Sequence, residues 1–150
     1  MRTIEVILKE TALDTNGVNH YGRGVKAYAN IESADYPRIW IHSVNPIDEV
    51  HINGSVSVSY EVIGEVSSLI EYTTDLANND DASVEYLSAL HNLETIYLRF
   101  IGKLNRHPKN KRAIGRVTRR EILHEYDDNV IGYVFTFQIS VHEAIPYECP

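Results

Sequence analysis

Cysteine is almost missing from this 150-residue chain: Cys149 stands alone, so no internal disulfide can form and nothing points to an oxidising compartment. As the penultimate residue, Cys149 is not expected to serve as a catalytic nucleophile, because a chain end rarely supplies the rigid surroundings that one needs. No apolar run approaches the roughly 20 residues required to cross a bilayer. The opening Met-Arg-Thr-Ile-Glu-Val-Ile-Leu-Lys-Glu is too short and too charged for a signal peptide. These absences lead us to expect a soluble protein made inside a cell, with no membrane partner.

Motifs for chemistry are missing as well. Tyr21-Gly22-Arg23-Gly24 has one Gly-x-Gly and no third glycine, and neither a Gly-x-Ser-x-Gly elbow nor a phosphate-binding loop occurs. The seven histidines, His20, His42, His51, His91, His107, His124 and His142, show no His-x-His or His-x-x-x-His spacing. His124-Glu125 and His142-Glu143 fall on the two strands of an expected hairpin, where exposed strand histidines are the simpler reading. Asp80-Asp81 and Asp127-Asp128 read as turns and do not fit a calcium loop. Nothing marks out Glu121 and Glu125 as a working carboxylate pair. The expectation is a protein that is not an enzyme and has no cofactor and no metal.

One window lacks acid altogether. From Arg99 to Arg120 there are nine basic residues and no Asp or Glu, although the whole chain carries a net charge of −7. The other five Lys and Arg residues share the remaining sequence with all 21 acids. Such separation produces a dipolar surface suited to complementary partners or to copies of the chain itself. Lys109, Lys111, Arg112, Arg116, Arg119 and Arg120 are therefore the candidate interface residues. A solvated helix end and loop is the plain alternative. Nucleic-acid reading is disfavoured, because beyond Phe100 the segment has no Phe, Tyr or Trp among its basic residues and it belongs to an acidic chain.

What the chain does have is patterning. At this length, with 43% hydrophobic and 23% charged residues, a single domain over 1–150 is expected, burying roughly two-thirds of its unfolded surface. The most informative stretch runs from Asp127 to Val141. Ile131, Tyr133, Phe135, Phe137, Ile139 and Val141 alternate with Thr136, Gln138 and Ser140, which predicts a long strand with one face on a core. Val56, Val58, Tyr60 and Val62 alternate in the same way with Ser57, Ser59 and Glu61. A shorter strand, Arg38 to His42, follows Pro37 and is expected to break at Asn45-Pro46. Ile114 to Tyr126 reads as a weaker strand that turns at Asp127-Asp128-Asn129 into the last one.

Two helices are expected. A short one covers Arg2 to Leu13 and ends at Asn16-Gly17, with a flexible turn at Tyr21 to Gly24. A long one runs from about Ala82 to Arg106 with a stripe of Leu87, Leu90, Tyr97, Ile101 and Leu104, widened by Tyr86, Leu93 and Phe100. Pro108 ends it, and Lys109 to Arg112 reads as a mobile linker. No strand–helix–strand unit repeats, which argues against a doubly wound parallel sheet. The fold class expected is α+β: a mostly antiparallel sheet of about four strands, covered on one face by the long central helix and the short N-terminal helix. Ten tyrosines add amphipathic surface suited to interfaces, although most are expected to pack at the edge of the core.

Several motifs resemble those of small virion proteins from tailed phages and prophages of the Bacteroidetes type. Tyr36-Pro37-Arg38-Ile39-Trp40-Ile41 is similar to their Tyr-Pro-apolar-apolar-Trp-apolar strand, and Glu85-Tyr86-Leu87-Ser88 to their Glu-x-Leu-Ser helix start. Asp127 to Phe135 resembles their Asp-Asp-x-x-x-Gly-aromatic hairpin, and Pro146-Tyr147-Glu148-Cys149-Pro150 their Cys-Pro ending. The ordered set covers most of the chain from Tyr36 onward. The resemblance implies a tail terminator or neck connector, a tail-terminator-like α+β subunit that forms a ring, commonly a hexamer, where the tail tube meets the head. It implies a virion location after assembly in the host bacterial cytoplasm. It also implies contacts with the tail tube and with neck or portal-side proteins, with DNA passing through the lumen unread. The arginine-rich segment from Arg112 to Arg120 departs from that pattern, leaving lumen, neighbouring subunit and tube as its possible targets.

Other readings predict different features. A head-closure ring or a tube-like subunit would be favoured by a long insertion loop, for which 73–82 is the candidate segment. A ligand-binding or enzymatic domain would need an apolar pocket lined by Trp40, Tyr60 and Phe135 around a titratable group. A nucleic-acid adaptor would use the basic segment and bind duplex with steep salt dependence.

Overall fold

The alternating strands find their partners in a single five-stranded sheet. A computed structural model describes residues 3–25, 36–70, 79–122 and 130–144. In chain order the elements are α1 (Thr3–Asp14), β1 (His20–Arg23), β2 (Arg38–Ile52), β3 (Ser55–Leu69), α2 (Asn79–Asn105), β4 (Val117–Glu121) and β5 (Val130–Ala144). The sheet order is β1-β2-β3-β5-β4. Pairings β2·β3, β3·β5 and β5·β4 are antiparallel, whereas β1 joins β2 in parallel. The protein is thus α+β with a mixed sheet, one strand more than the alternation predicts.

Both helices cover the same sheet face. Along β5 the residues Ile131, Phe135, Phe137, Ile139 and Val141 are buried, and the register sets them beside Ser68, Gly64, Val62, Tyr60 and Val58 of β3. Ile4, Ile7, Leu8 and Ala12 of α1 and Leu93, Ile96, Phe100 and Leu104 of α2 complete one cluster with them. Phe135 is at its centre, with its ring 5.7 Å from Tyr97, 6.0 Å from Phe100 and 5.9 Å from Phe137. These spacings are those of tilted and offset aromatic pairs. The last turn of α2 is tied to the end of α1, where Lys103 Nζ donates to the Asp14 carbonyl at 2.6 Å and to its carboxylate at 2.9 Å. The α1 start is tied to β5, because Thr3 N donates to Glu143 Oε2 at 3.3 Å.

The structure corrects the sequence reading at several points. Tyr21 to Gly24 is not simply a turn: His20–Arg23 is a strand, and the Trp40 ring occupies the space where a Gly22 side chain would stand. Asn45-Pro46 does not end β2. The strand continues to Ile52 because Pro46 is on a stretch with no outer neighbour among the described residues, where its missing N–H costs nothing. A register shift between Pro46 and Asp48 absorbs the distortion as a bulge at Ile47. Leu87 is exposed rather than part of the α2 stripe, while Ile96, absent from the expected stripe, is buried. The supposed linker is held in place: Lys111 N donates to the Ser140 carbonyl at 2.9 Å, and Asn110 bridges to Val141. Of the strand expected over 114–126, Val117–Glu121 forms among the described residues, and 123–126 lie outside them. The turn at 127–129, the 73–78 part of the candidate insertion and the Pro146 to Pro150 ending lie outside the described residues; Asn79 to Ala82 begin α2.

Tyr21 carries a small cost inside this core. Its hydroxyl is buried with no hydrogen-bond partner among the described residues. Burial first, then the nearby Glu5 carboxylate, push its pKa up to about 12, with Arg23 opposing. Burial also raises Tyr97 and Tyr133, with Arg119 opposing in each case. An unfolded tyrosine ionises near pH 10, and these folded ones ionise later. Their contribution to stability is therefore full below about pH 10 and is lost as pH rises from there through the folded values. The melting temperature is expected to fall between pH 10 and 12. Tyr21→Phe should match or exceed the wild type at pH 7 and soften the alkaline decline; a thermal melt series checks both.

Candidate functional site

The six basic candidates gather along one margin of the sheet. Among the described residues β4 is the last strand on that side, and Asn110 and Lys111 extend the margin by pairing with Val141 and Ser140 of β5. Lys109, Lys111, Arg112 and Arg116 are exposed there, and the Arg112 amide bonds Asn110 Oδ1 at 3.4 Å. Strand alternation sends the next two arginines to opposite faces. Arg119 lies on the helix face, where its Nη2 donates to Glu94 Oε2 at 2.9 Å. Its guanidinium also rests 4.9 Å from the Tyr97 ring centroid and 4.8 Å from that of Tyr133. Arg119 is thus a clasp between β4 and α2. Arg120 lies on the other face, beside a shallow hollow with Thr118, Val134 and Thr136. Nearby, Tyr86 of α2 donates to Glu121 Oε2 at 3.1 Å.

The opposite margin is acidic. Beyond Ile41, β2 has no outer strand neighbour among the described residues, and Asn45 to Ile52 is exposed throughout. It bears Asp48 and Glu49, with Glu49 Oε2 3.1 Å from His51 Nε2. Ile47, Val50 and Ile52 are exposed on the same arm, at 49%, 45% and 62%. Three exposed apolar residues on one unpaired edge mark a contact surface.

A second feature escaped the sequence reading. On the face away from the helices, Arg38 and Glu65 are buried at 1% and 0% exposure. Arg38 Nη2 is 3.7 Å from Glu65 Oε1, and Arg38 Nε donates to Ser67 Oγ at 3.1 Å. His42 Nε2 approaches the same Glu65 oxygen at 3.2 Å. The Arg38 guanidinium is 4.9 Å from the Tyr36 ring and 5.3 Å from the Trp40 ring. Trp40 Nε1 donates to the Gly24 carbonyl at 2.9 Å. Arg38 and Glu65 are 27 residues apart, and only the β2·β3 register brings them together. In sequence terms each reads as an ordinary polar position on a strand.

The pocket required by a ligand-binding reading is not assembled. Tyr60 and Phe135 face the helices, whereas Trp40 stands on the opposite face, so the three cannot line one cavity. Glu125, His124 and Cys149 lie outside the described residues. Among the described residues, no group of three or more His, Cys, Asp or Glu is arranged to hold a metal ion, and no helix is long and apolar enough to cross a membrane. His142 is an exposed strand histidine opposite Ser57. No protein-family model matches the chain, nor does any curated protein sequence.

Proposed function

We propose that this chain is a structural virion protein of a tailed phage, forming a ring at the head–tail junction or capping the tail tube. One observation carries the geometric side of the reading. The sheet has a basic margin at β4 and an acidic, partly apolar margin at β2, on opposite sides of one subunit. A surface with two different complementary ends suits head-to-tail contacts, which close into rings when the rotation per subunit allows. The sequence motifs that resemble tail terminators supply the biological context. In this role the protein works by contact: itself, the tail tube and neck proteins are its partners, and DNA passes through the lumen without sequence reading.

Mass photometry and negative-stain images of the purified protein test this. A closed assembly of several copies is the expected result. Arg116→Glu with Arg120→Glu should weaken it, whereas wild-type protein that stays monomeric at every concentration would remove the proposal.

A further inference from the structure

We infer that the distal edge of β2, Asp48 to Ile52, which has no outer strand neighbour among the described residues, pairs antiparallel with Arg116 to Arg120 along β4 of a second copy, making one sheet that runs from subunit to subunit. The inference rests on the ring reading above and specifies its contact.

Length and direction agree first. The bulge at Ile47 leaves a pairable edge of five residues, and β4 offers Val117 to Arg120 opposite it, with the preceding Arg116 as the fifth. Within one subunit β2 runs antiparallel to β3, β3 to β5 and β5 to β4. β2 and β4 therefore run in opposite directions. A second copy placed alongside with its helices on the same side presents its β4 antiparallel to the first copy's β2. No inversion of the subunit is needed, which is what a repeating head-to-tail contact requires.

Side-chain faces then select the register. Glu49 is opposite Val58, a helix-face residue, and Asp48 is opposite Ser59 on the other face. In β4, Arg119 takes the helix face and Arg120 the other. Setting Asp48 against Arg120 of the neighbour also sets Glu49 against Arg119 on the correct face. Val50 then meets Thr118, and Ile52 meets the aliphatic stem of Arg116. A parallel arrangement cannot match both acids to both arginines while keeping faces aligned. Opposite charges directly across a pair stabilise it, and like charges oppose it, so β2 is guarded against another β2 and open to β4.

Disulfide trapping tests the register. In one chain β2 and β4 are three strand spacings apart, roughly 14 Å, too far for an internal bridge. In a Cys149→Ser background, Val50→Cys with Thr118→Cys should give a ladder extending beyond dimer on oxidation. Either single cysteine, or Val50→Cys with the displaced Arg116→Cys, should give none. Asp48→Arg and Arg120→Glu should each lose multimers, and an equal mixture of the two should regain them, because each copy then offers the other a complementary edge. Multimers that form without the Val50–Thr118 ladder, or single-cysteine dimers, would overturn the edge pairing and leave the ring reading standing. Wild-type protein that remains monomeric would overturn both.

Discussion

Arg38→Met is expected to cost about 3–5 kcal/mol in urea unfolding, the usual penalty when one partner of a buried ion pair is removed. Methionine keeps much of the stem volume but leaves the fully buried Glu65 carboxylate without its guanidinium neighbour. It also deletes the bond to Ser67 and the contacts over Tyr36 and Trp40. Adding Glu65→Leu should restore a large part of the loss, since a buried pair and a well-packed apolar substitute are often close in stability. A single substitution costing less than about 0.5 kcal/mol, the level typical of surface changes, would show that the pair does not hold these strands.

Gly132→Ala should be comparably damaging, at roughly 3 kcal/mol or more, because strained backbone alone costs about 1–3 kcal/mol. Gly132 adopts φ +147°, a conformation that L side chains rarely take. An added Cβ would also stand 2.0 Å from the Val66 carbonyl oxygen and 2.9 Å from Ser67 Cα, both backbone atoms that cannot swing aside. β3 and β5 would have to separate where β5 also accepts the Ile122 amide at 2.9 Å. A thermal melt of the variant checks this, and an unchanged midpoint would mean that the strands can shift at no cost. Gly54→Ala is the control: no atom lies within 4 Å of its added Cβ, so only its turn conformation is taxed.

The candidate interface was legible in part. The basic run from Arg99 to Arg120 is evident by counting, and period-2 alternation already sends Arg119 and Arg120 to opposite faces. Counting could not reveal that Arg119 is occupied by Glu94 and two tyrosine rings, because those partners come from α2 and β5. The acidic margin was missed for a different reason. Asn45-Pro46 looks like a strand break, and a proline stops a strand only when its N–H side needs a partner, which depends on strand order.

The sequence by itself determined which residues of β3 and β5 face the core, the position of α1 and the existence of a long α2. Each of these follows from a local repeat that the backbone geometry reads directly. Tertiary structure alone decided the parallel addition of β1, the burial of Arg38 with Glu65, and the placement of acid and base on opposite margins. Those depend on which strand lies beside which, and pairing between distant segments leaves no periodic trace in either one.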